Sequence, residues 1–331
     1  MGEKTKIQWT ATLNADGSTT EGASWNPIRA RNKATGAVGW HCTKPSAGCK
    51  FCYAESINKR LGTGLSYIVP AGQQVEIFVS DKILEQPLHW KKPRKIFPCS
   101  MTDAFGEFVA DDMIDRMLGI SLLAPQHIFQ YLTKRSGRMR EHILGLETRH
   151  TPDGNMLLSP TTVLLELALR KNAIPFGLDA LNRPWPLRNC WLGFSAENQD
   201  AFNERWAEME PLARKGWLVW CSYEPSLGPI DMRPALAAGL RWVVIGGESG
   251  PGARSFDIQW ARDVIAQCKE AAVPCFLKQL GAKPIEKTYT LAPWKNGAQG
   301  EPGNWSPVLL DRKGGSMDEW EPGLRVREFP A

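Results

Sequence analysis

Several features that would assign the chain to a common class of protein are missing from its sequence. No apolar run reaches the roughly 18 residues that a membrane-spanning helix needs, and residues 1–7 lack the apolar core of a signal peptide. Neither a glycine-rich dinucleotide-binding fingerprint nor an internal repeat is present. These absences argue against a membrane protein, a secreted protein and a Rossmann sheet. We therefore expect a cytoplasmic protein with no membrane partner.

The composition is that of a globular protein with a mildly basic charge. Of the 331 residues, 43% are hydrophobic and 23% are charged, and the formal net charge is +5. A basic balance of this size is compatible with a nucleotide or nucleic-acid partner and does not require one.

Seven short apolar runs recur along the chain, and stretches of helical character lie between several of them. Buried parallel strands read as continuous apolar runs of this kind, rather than as alternating ones. The predicted strands are Ala23–Ile28, Lys95–Met101, His127–Leu132, Asn189–Ser195, Trp217–Ser222, Arg241–Gly246 and Pro274–Leu277. The predicted helices include Asp111–Leu123, Ala201–Leu212 and Ile258–Ala271.

This alternation predicts an α/β fold with a parallel sheet, because each pair of parallel strands needs a long crossover. The specific prediction is a full or partial (β/α) TIM-like barrel of about six to eight parallel strands with loop insertions. We expect the barrel at residues 1–281 and an irregular C-terminal extension, packed on the barrel, at residues 282–331. Residues 61–95 and the insertion at residues 144–186 are also predicted to be irregular.

Three of the eight cysteines, Cys42, Cys49 and Cys52, lie on one short stretch, and the other five are scattered. A disulfide framework is not expected in a reducing compartment. Three thiolates on one loop can hold three irons of a [4Fe-4S] cluster and leave the fourth iron without a protein ligand. Two alternatives stay open: a zinc site closed by His41 or by a distant residue, and three buried structural cysteines.

The position of the cysteines favours the cluster. Their loop follows the first predicted strand and leads into a helix predicted to start near Cys49. Active sites of (β/α) barrels lie at the carboxyl ends of the strands, where this loop is expected.

Polar residues end six of the predicted strands, which also indicates a ligand site at that end of the barrel. Six such endings are costly unless they bind something. They are Ser100 and Asp103, Thr133 and Lys134, Ser195 and Glu197, Ser222 and Glu224, Glu248 and Ser249, and Lys278 and Gln279.

Two basic stretches can track a phosphate backbone, or can simply be solvated faces. One is residues 91–95, next to Trp90. The other comprises Lys134, Arg135, Arg138 and Arg140, near Tyr131.

The cysteine loop resembles that of radical S-adenosylmethionine (SAM) enzymes, in which an aromatic residue precedes the third cysteine, here Phe51. The six residues between Cys42 and Cys49 are a departure, since that spacing is shorter in the superfamily. A closer resemblance is to a phage and bacterial three-Cys-motif family of radical-SAM-like proteins. Its motifs here are Trp-Asn-Pro at 25–27, Cys-Tyr-Ala-Glu at 52–55, Ser-Met-Thr-Asp at 100–103, Leu-Thr-Lys-Arg at 132–135, Gly-Phe-Ser-Ala-Glu at 193–197, Ser-Tyr-Glu-Pro at 222–225, Gly-Gly-Glu-Ser-Gly at 246–250 and Lys-Gln-Leu-Gly at 278–281.

The resemblance implies a [4Fe-4S] cluster on Cys42, Cys49 and Cys52, and SAM as the second cofactor. The implied SAM contacts are Phe51 at the adenine, Ser100 and Asp103 at the amino group, Ser195 and Glu197 at the ribose, together with Glu224. Gly246 and Gly247 match the superfamily's amino-group motif by letters but fall on the sixth strand, so that they can instead contact substrate. Lys278, Glu248 and Lys134 are the candidate catalytic residues, and an ion pair at the barrel mouth is the alternative for the two lysines.

The implied activity is cleavage of SAM to a 5′-deoxyadenosyl radical, with an external one-electron reductant. The substrate implied is a modified nucleobase, a nucleotide or DNA, in an isomerase or lyase reaction such as phage DNA modification. The alternatives are a repair lyase like spore photoproduct lyase, and a non-catalytic zinc or Fe–S protein that binds nucleic acid.

Overall fold

The computed structural model of the chain describes residues 4–13, 19–149, 159–162, 164, 180, 182–250, 252–287, 294, 296–301 and 304–330. Within these residues, all seven predicted apolar runs contribute a strand to one parallel sheet. The strands are β1 Ala23–Trp25, β2 Lys95–Pro98, β3 Ile128–Thr133, β4 Cys190–Ser195, β5 Leu218–Tyr223, β6 Leu240–Gly246 and β7 Cys275–Gln279.

Each strand of this sheet lies beside its neighbour in the sequence. The order across the sheet is β7-β6-β5-β4-β3-β2-β1, with β1 and β7 at its two ends. This is the strand order of a (β/α) barrel that is not closed by a pairing of its end strands within the described residues. The α/β, partial (β/α) TIM-like barrel predicted from the sequence is therefore confirmed.

The strands are mostly apolar because both faces of the sheet are covered. Every residue of β4 is buried, and in β6 only Arg241 is exposed. Three strand tryptophans, Trp25, Trp220 and Trp242, have no solvent-exposed surface. Such strands cannot alternate polar and apolar residues, which is why their runs are visible in the sequence.

Among the residues listed above, five longer helices connect or precede these strands. They are α1 Tyr53–Leu61, α2 Asp111–Leu123, α3 Ser136–Gly145, α4 Gln199–Arg214 and α5 Ile258–Glu270. Shorter helices span Val69–Gly72, Asp81–Leu84, Gln86–His89 and Arg233–Ala237. The start of α5 is sharp because the Asp257 side chain accepts a hydrogen bond of 3.0 Å from the backbone N–H of Gln259.

Smaller sheets flank the main sheet. Ile28–Asn32 pairs antiparallel with Val38–Gly39 and with Val75–Val79, so the stretch 61–95 is less irregular than predicted. The other pairs are Thr12–Leu13 with Thr19–Thr20, Phe256–Asp257 with Pro284–Ile285, and Ala298–Glu301 with Asn304–Pro307.

Two predicted strands are shorter in the structure, each for a local reason. The first predicted strand divides at Asn26 and Pro27, because proline has no N–H for a ladder and the Asn26 side chain bonds to residues 100 and 101. The second ends at Pro98, since Cys99 has a left-handed backbone with φ of 55°. Both breaks place polar groups at the carboxyl ends of β1 and β2.

The chain divides into two compact units, here called unit 1 and unit 2. Unit 1 comprises residues 1–45, 52–193 and 215–218, and unit 2 comprises residues 46–51, 194–214 and 219–331. The predicted division between residues 281 and 282 stays a prediction. Of the predicted insertion at residues 144–186, positions 150–158, 163, 165–179 and 181 lie outside the described residues.

Within unit 2, the C-terminal extension bonds to β7. The backbone N–H of Leu277 donates to the carbonyl of Val326 at 2.9 Å, and that of Glu328 donates to the carbonyl of Cys275 at 2.9 Å. Trp320 is completely buried. No helix within the described residues is long and apolar enough to cross a membrane.

Candidate functional site

The eight cysteines fall into two groups by burial. Cys42, Cys49 and Cys52 are half-buried, the other five are buried, and none of the eight forms a disulfide. Burial raises the pKa of Cys190 to about 12 and also raises that of Cys99. Thiols of this kind stay protonated at neutral pH and fill the core, whereas half-buried thiols are accessible to a metal.

In unit 1, Cys42 and Cys52 pack against one apolar cluster, formed by Trp40, Ala54, Tyr67 and Met101. Burial raises the pKa of Tyr67, and the neighbouring Cys42 and Cys52 add to that rise. The Tyr67 hydroxyl therefore stays protonated and donates to the Met101 carbonyl at 2.7 Å.

Cys52 immediately precedes α1, which begins at Tyr53 and not near Cys49 as predicted. The segment Ala47–Cys49 forms a single 3-10 turn, and Cys52 takes an extended backbone at the N-terminal cap position. The unpaired N–H groups and the dipole of a helix N-terminus favour a negatively charged ligand atom such as a thiolate.

The segment after β2 is anchored on several sides within unit 1. The Asn26 amide donates to the Ser100 hydroxyl at 3.1 Å, and its oxygen accepts from the Met101 N–H at 3.0 Å. The Tyr53 hydroxyl donates to the Ser100 carbonyl at 2.7 Å, and Thr102 donates to the His41 carbonyl. These bonds join the end of β1, the start of α1 and the predicted SAM contact Ser100.

Asp103 is buried, and its carboxylate accepts hydrogen bonds from several residues of unit 1. It accepts hydrogen bonds from the Thr133 hydroxyl at 2.7 Å and from the Lys134 N–H at 3.2 Å. It also accepts from the Phe105 N–H at 3.0 Å and pairs with Arg135 at 3.0 Å. The predicted site residues Asp103 and Lys134 are thus brought together, with the Lys134 backbone making this contact.

His41 occupies an aromatic environment. Its ring lies edge-on to Phe108 at 4.8 Å and to Tyr67 at 6.4 Å between centroids. Burial lowers the pKa of His41 and the nearby Arg135 lowers it further, which keeps the ring neutral at pH 7.

In unit 2, residues 46–51 of the cysteine loop are held by the segment that follows β6. Arg254 donates to the Ala47 carbonyl at 2.9 Å, and its guanidinium lies 5.6 Å from the centre of the Phe51 ring. Glu248 pairs with Arg254 at 2.7 Å and accepts from its backbone N–H at 3.0 Å. Burial would raise the pKa of Glu248, but Arg254 outweighs burial and lowers it, so the carboxylate stays charged.

A second polar group of unit 2 lies at the ends of β5, β6 and β7. Lys278 pairs with Glu224 at 2.9 Å, and the Ser222 hydroxyl donates to Glu224 at 3.3 Å. A Cβ on Gly246 would lie 2.5 Å from a Glu224 carboxylate oxygen, so glycine leaves the space that this side chain uses. The ion-pair alternative considered for Lys278 is therefore present, and both charged side chains remain partly exposed.

The end of β4 carries a third group in unit 2. Glu197 is buried and pairs with Arg205 of α4 at 2.9 Å, and Arg205 also donates to the Ser195 carbonyl. The Gln279 amide donates to the Gly247 carbonyl at 2.8 Å, which links the ends of β6 and β7.

No three Cys, His, Asp or Glu side chains in the described part of the chain stand together as a metal site. The donor set nevertheless fits an iron–sulfur cluster by its chemistry. Three thiols are accessible within an eleven-residue stretch, and thiolates are the usual ligands of such clusters. The loop that carries them follows the carboxyl end of β1 and residues 28–39.

Three arginines were not predicted as partners of the acidic site residues. Arg135, Arg205 and Arg254 each pair with a predicted acidic site residue, namely Asp103, Glu197 and Glu248. The signal that could have found them is electrostatic, since a buried carboxylate at a strand end needs a cation. Sequence spacing alone does not identify these partners, because they lie in three different settings. Arg135 follows a strand, Arg205 lies on a helix, and Arg254 lies in a loop.

The basic stretches have mixed surroundings. Lys91 and Lys92 are exposed, whereas Lys95 is buried and donates to the Ala11 carbonyl at 3.1 Å. In the second stretch, Arg138 donates to the carbonyls of Gly106 and Val109. Contact with nucleic acid stays a prediction.

Comparison with known proteins gives a family match and one distant structural similarity. A family model described as "Protein of unknown function (DUF5131)" matches residues 5–308. None of the curated proteins compared with the chain matches it. A solved structure of a spore photoproduct lyase mutant with bound AdoMet and dinucleoside spore photoproduct is similar at 10% identity, with a TM-score of 0.37. That match covers 92% of this chain and 73% of the other, and identity this low does not establish a shared activity.

Proposed function

The chain belongs to the DUF5131 family of proteins of unknown function, and from its site we propose that it is a radical SAM enzyme. Cys42, Cys49 and Cys52 would hold a [4Fe-4S] cluster, and SAM would bind at the iron that has no protein ligand. Such a cluster supplies the electron that cleaves SAM to a 5′-deoxyadenosyl radical. The electron itself comes from an external one-electron reductant.

One observation carries the proposal: the only half-buried thiols among the eight cysteines are the three that share a loop after the first strand of a partial barrel. Core cysteines would be buried like the other five. A zinc site needs a fourth ligand, and the nearby candidate His41 is packed between aromatic rings. Three thiolates and an open iron need no further ligand from the protein.

The polar strand ends supply the groups that such a site needs. SAM contacts are assigned to the residues predicted from the sequence: Phe51, Ser100, Asp103, Ser195, Glu197, Glu224, Gly246 and Gly247. Substrate contact and proton transfer are assigned to Lys278, Glu248 and Lys134. The partly exposed Lys278–Glu224 pair, at 2.9 Å, supports a proton-transfer role because a proton can pass between its two members.

The substrate proposed is a nucleobase, free or in a nucleotide or DNA, that is isomerised or cleaved. The net charge of +5 and the exposed Lys91 and Lys92 support an anionic partner. A base in duplex DNA would have to be flipped out of the helix to reach a barrel mouth.

Metal analysis of the full chain tests the cluster. The protein is reconstituted anaerobically with iron and sulfide, and its iron, sulfide and zinc contents are measured together with its visible absorption. We expect a brown protein with about four irons and four sulfides per chain. A colourless protein that holds one zinc would contradict the proposal and would favour a non-catalytic metal protein.

Two cysteine variants give the matched control. Cys49→Ala removes one proposed ligand and should lose the brown absorption. Cys268→Ala removes a buried thiol of α5 and should keep it, with only a small loss of stability. Equal iron contents in the two variants would rule out Cys49 as a ligand.

A further inference from the structure

Arg135 is buried directly after β3, and each nitrogen of its guanidinium has a partner in unit 1. Nη1 lies 3.0 Å from Asp103, and Nε lies 2.9 Å from Glu107. Nη2 donates to the hydroxyl of Thr43, the residue that follows Cys42. The three contacts point in three directions, so the planar guanidinium is fixed in position.

Asp103 is held in turn by groups that cannot move far. Its carboxylate accepts from the backbone N–H groups of Phe105 and Lys134 and from the Thr133 hydroxyl. Only 7% of Asp103 is exposed. A carboxylate anchored to the backbone in this way orients the arginine that pairs with it.

Nη2 of Arg135 reaches the cysteine loop at Thr43, the residue after Cys42. The Thr43 carbonyl oxygen accepts from Nη2 of Arg135 at 3.5 Å and from the Cys42 thiol at 3.4 Å. The sulfur and the guanidinium are therefore neighbours around one oxygen. An arginine guanidinium keeps its charge at neutral pH, so Arg135 is a permanent cation.

A role in binding an anionic substrate does not account for this arrangement. Two carboxylates, Asp103 and Glu107, already face the single positive charge of Arg135. Every guanidinium nitrogen is engaged by the protein, and only 7% of the side chain is exposed. The remaining nitrogen, Nη2, binds Thr43 of the cysteine loop.

We propose that Arg135 is the positioning residue of the cysteine loop: it fixes Thr43, and with it Cys42, and it places a permanent cation near the thiolate that would bind the metal. The inference rests on the proposed function only in taking Cys42 as a metal ligand. Partners of this kind orient a ligand and tune its metal, and their loss typically costs about 10- to 100-fold in metal affinity.

Cobalt(II) tests this without any need for SAM or for activity. The metal-free full chain is titrated anaerobically with cobalt(II), and the thiolate-to-cobalt absorption gives the affinity. Arg135→Gln should weaken cobalt binding roughly 10-fold or more. Arg135→Lys, which keeps the charge and loses the planar fork, should fall between Arg135→Gln and the wild type.

Two further variants keep the test sharp. Arg140→Gln, on α3, removes an arginine that pairs with Glu141, and it should bind cobalt like the wild type. If Arg135→Gln fails to fold, Thr43→Val removes only the hydroxyl that accepts from Arg135 and should still weaken cobalt binding. Circular dichroism and thermal unfolding verify the folding of each variant.

The outcomes separate this inference from the proposed function. Equal cobalt affinities in Arg135→Gln and the wild type would overturn it, as would a wild type with no thiolate-to-cobalt absorption. If thiolate binding weakens as expected but reconstitution yields no iron–sulfur cluster, the positioning role stands and the radical SAM proposal fails.

Discussion

Gly246 and Gly247 are adjacent in the chain, but Gly246 faces a side chain whereas Gly247 faces backbone. A Cβ on Gly246 would meet the end of the Glu224 side chain at 2.5 Å, and a side-chain end can move. A Cβ on Gly247 would lie 2.3 Å from the backbone oxygen of Leu280, which cannot move without shifting β7 and the segment after it. The two glycines therefore serve different purposes at the same strand end.

The prediction is a difference in stability between two alanine variants. Gly247→Ala should lose about 1–3 kcal/mol of unfolding free energy, as expected for overpacking against backbone. Gly246→Ala should lose less and should instead displace Glu224 from Lys278. Urea unfolding of both variants measures this, and a greater loss in Gly246→Ala than in Gly247→Ala would refute the distinction.

Lys95 is a buried cation at the start of β2, and burial lowers its pKa from 10.5 to about 8. Between these two values the unfolded chain binds more protons at this position than the folded chain does. The contribution of Lys95 to the free energy of unfolding should therefore rise with pH between these two values.

The expected size of this effect is on the order of 3 kcal/mol between pH 8 and pH 10.5. Urea unfolding of the wild type and of Lys95→Met, across this range, isolates it, because the variant lacks the titrating group. The stability of the wild type relative to Lys95→Met should increase with pH. A constant difference would mean that Lys95 has an ordinary pKa in the folded chain.

At the scale of elements, the cysteine loop is the least regular segment of the site and depends on side chains for its shape. In unit 2, its residues 46–51 contain one 3-10 turn, and Arg254 binds a carbonyl and a ring of this segment. Within the described part of the chain, the backbone bonds of this segment are the local turn bonds from Cys49 to Ser46 and from Lys50 to Ala47. Loss of Arg254 should therefore make the segment open more easily.

Hydrogen exchange followed by mass spectrometry can measure this dependence. Arg254→Ala should accelerate exchange in residues 46–51 roughly tenfold or more, since a hydrogen bond from a charged group contributes about 1.5–3 kcal/mol. Exchange within α5 should not change. Arg241→Ala, at the opposite end of β6, is the matched control, and the same acceleration in that variant would contradict a specific role for Arg254.

The sequence predicts the strands and helices of this fold better than it predicts the long-range side-chain contacts between them. All seven strands are visible as apolar runs because both faces of the sheet are buried, and α2 has its predicted bounds. The break at Asn26 and Pro27 depends on a side chain that bonds to residues 74 or 75 positions away, which no local pattern contains.

For the candidate site, too, the sequence predicts some residues and does not predict their contacts. Polar residues at strand ends can be recognised because they interrupt apolar runs, as at Asp103 and Glu248. The arginine that each one binds is set by tertiary packing, so the pairings of Arg135 with Asp103 and of Arg254 with Glu248 emerge only from the structure. The start of α1 at Tyr53 was also not predicted, because residues 46–51 form a turn and not a first helical turn.

For the whole molecule, the parallel order of the sheet brings the carboxyl ends of β1 to β7 to one edge. The predicted polar residues lie at or after the ends of those strands, and the three half-buried cysteines follow β1 in the chain after residues 28–39. A (β/α) topology concentrates chemistry at this edge because the loops that follow the strands can vary without disturbing the core.

Formation of 5′-deoxyadenosine is the measurement that tests the central claim most directly, and it does not require the substrate to be known. The reconstituted full chain is incubated anaerobically with SAM and dithionite, and the products are separated and identified by mass. We predict that the wild type forms 5′-deoxyadenosine and that Cys49→Ala does not. A wild-type protein that carries its full iron and sulfide and still releases no 5′-deoxyadenosine would contradict the assignment as a radical SAM enzyme.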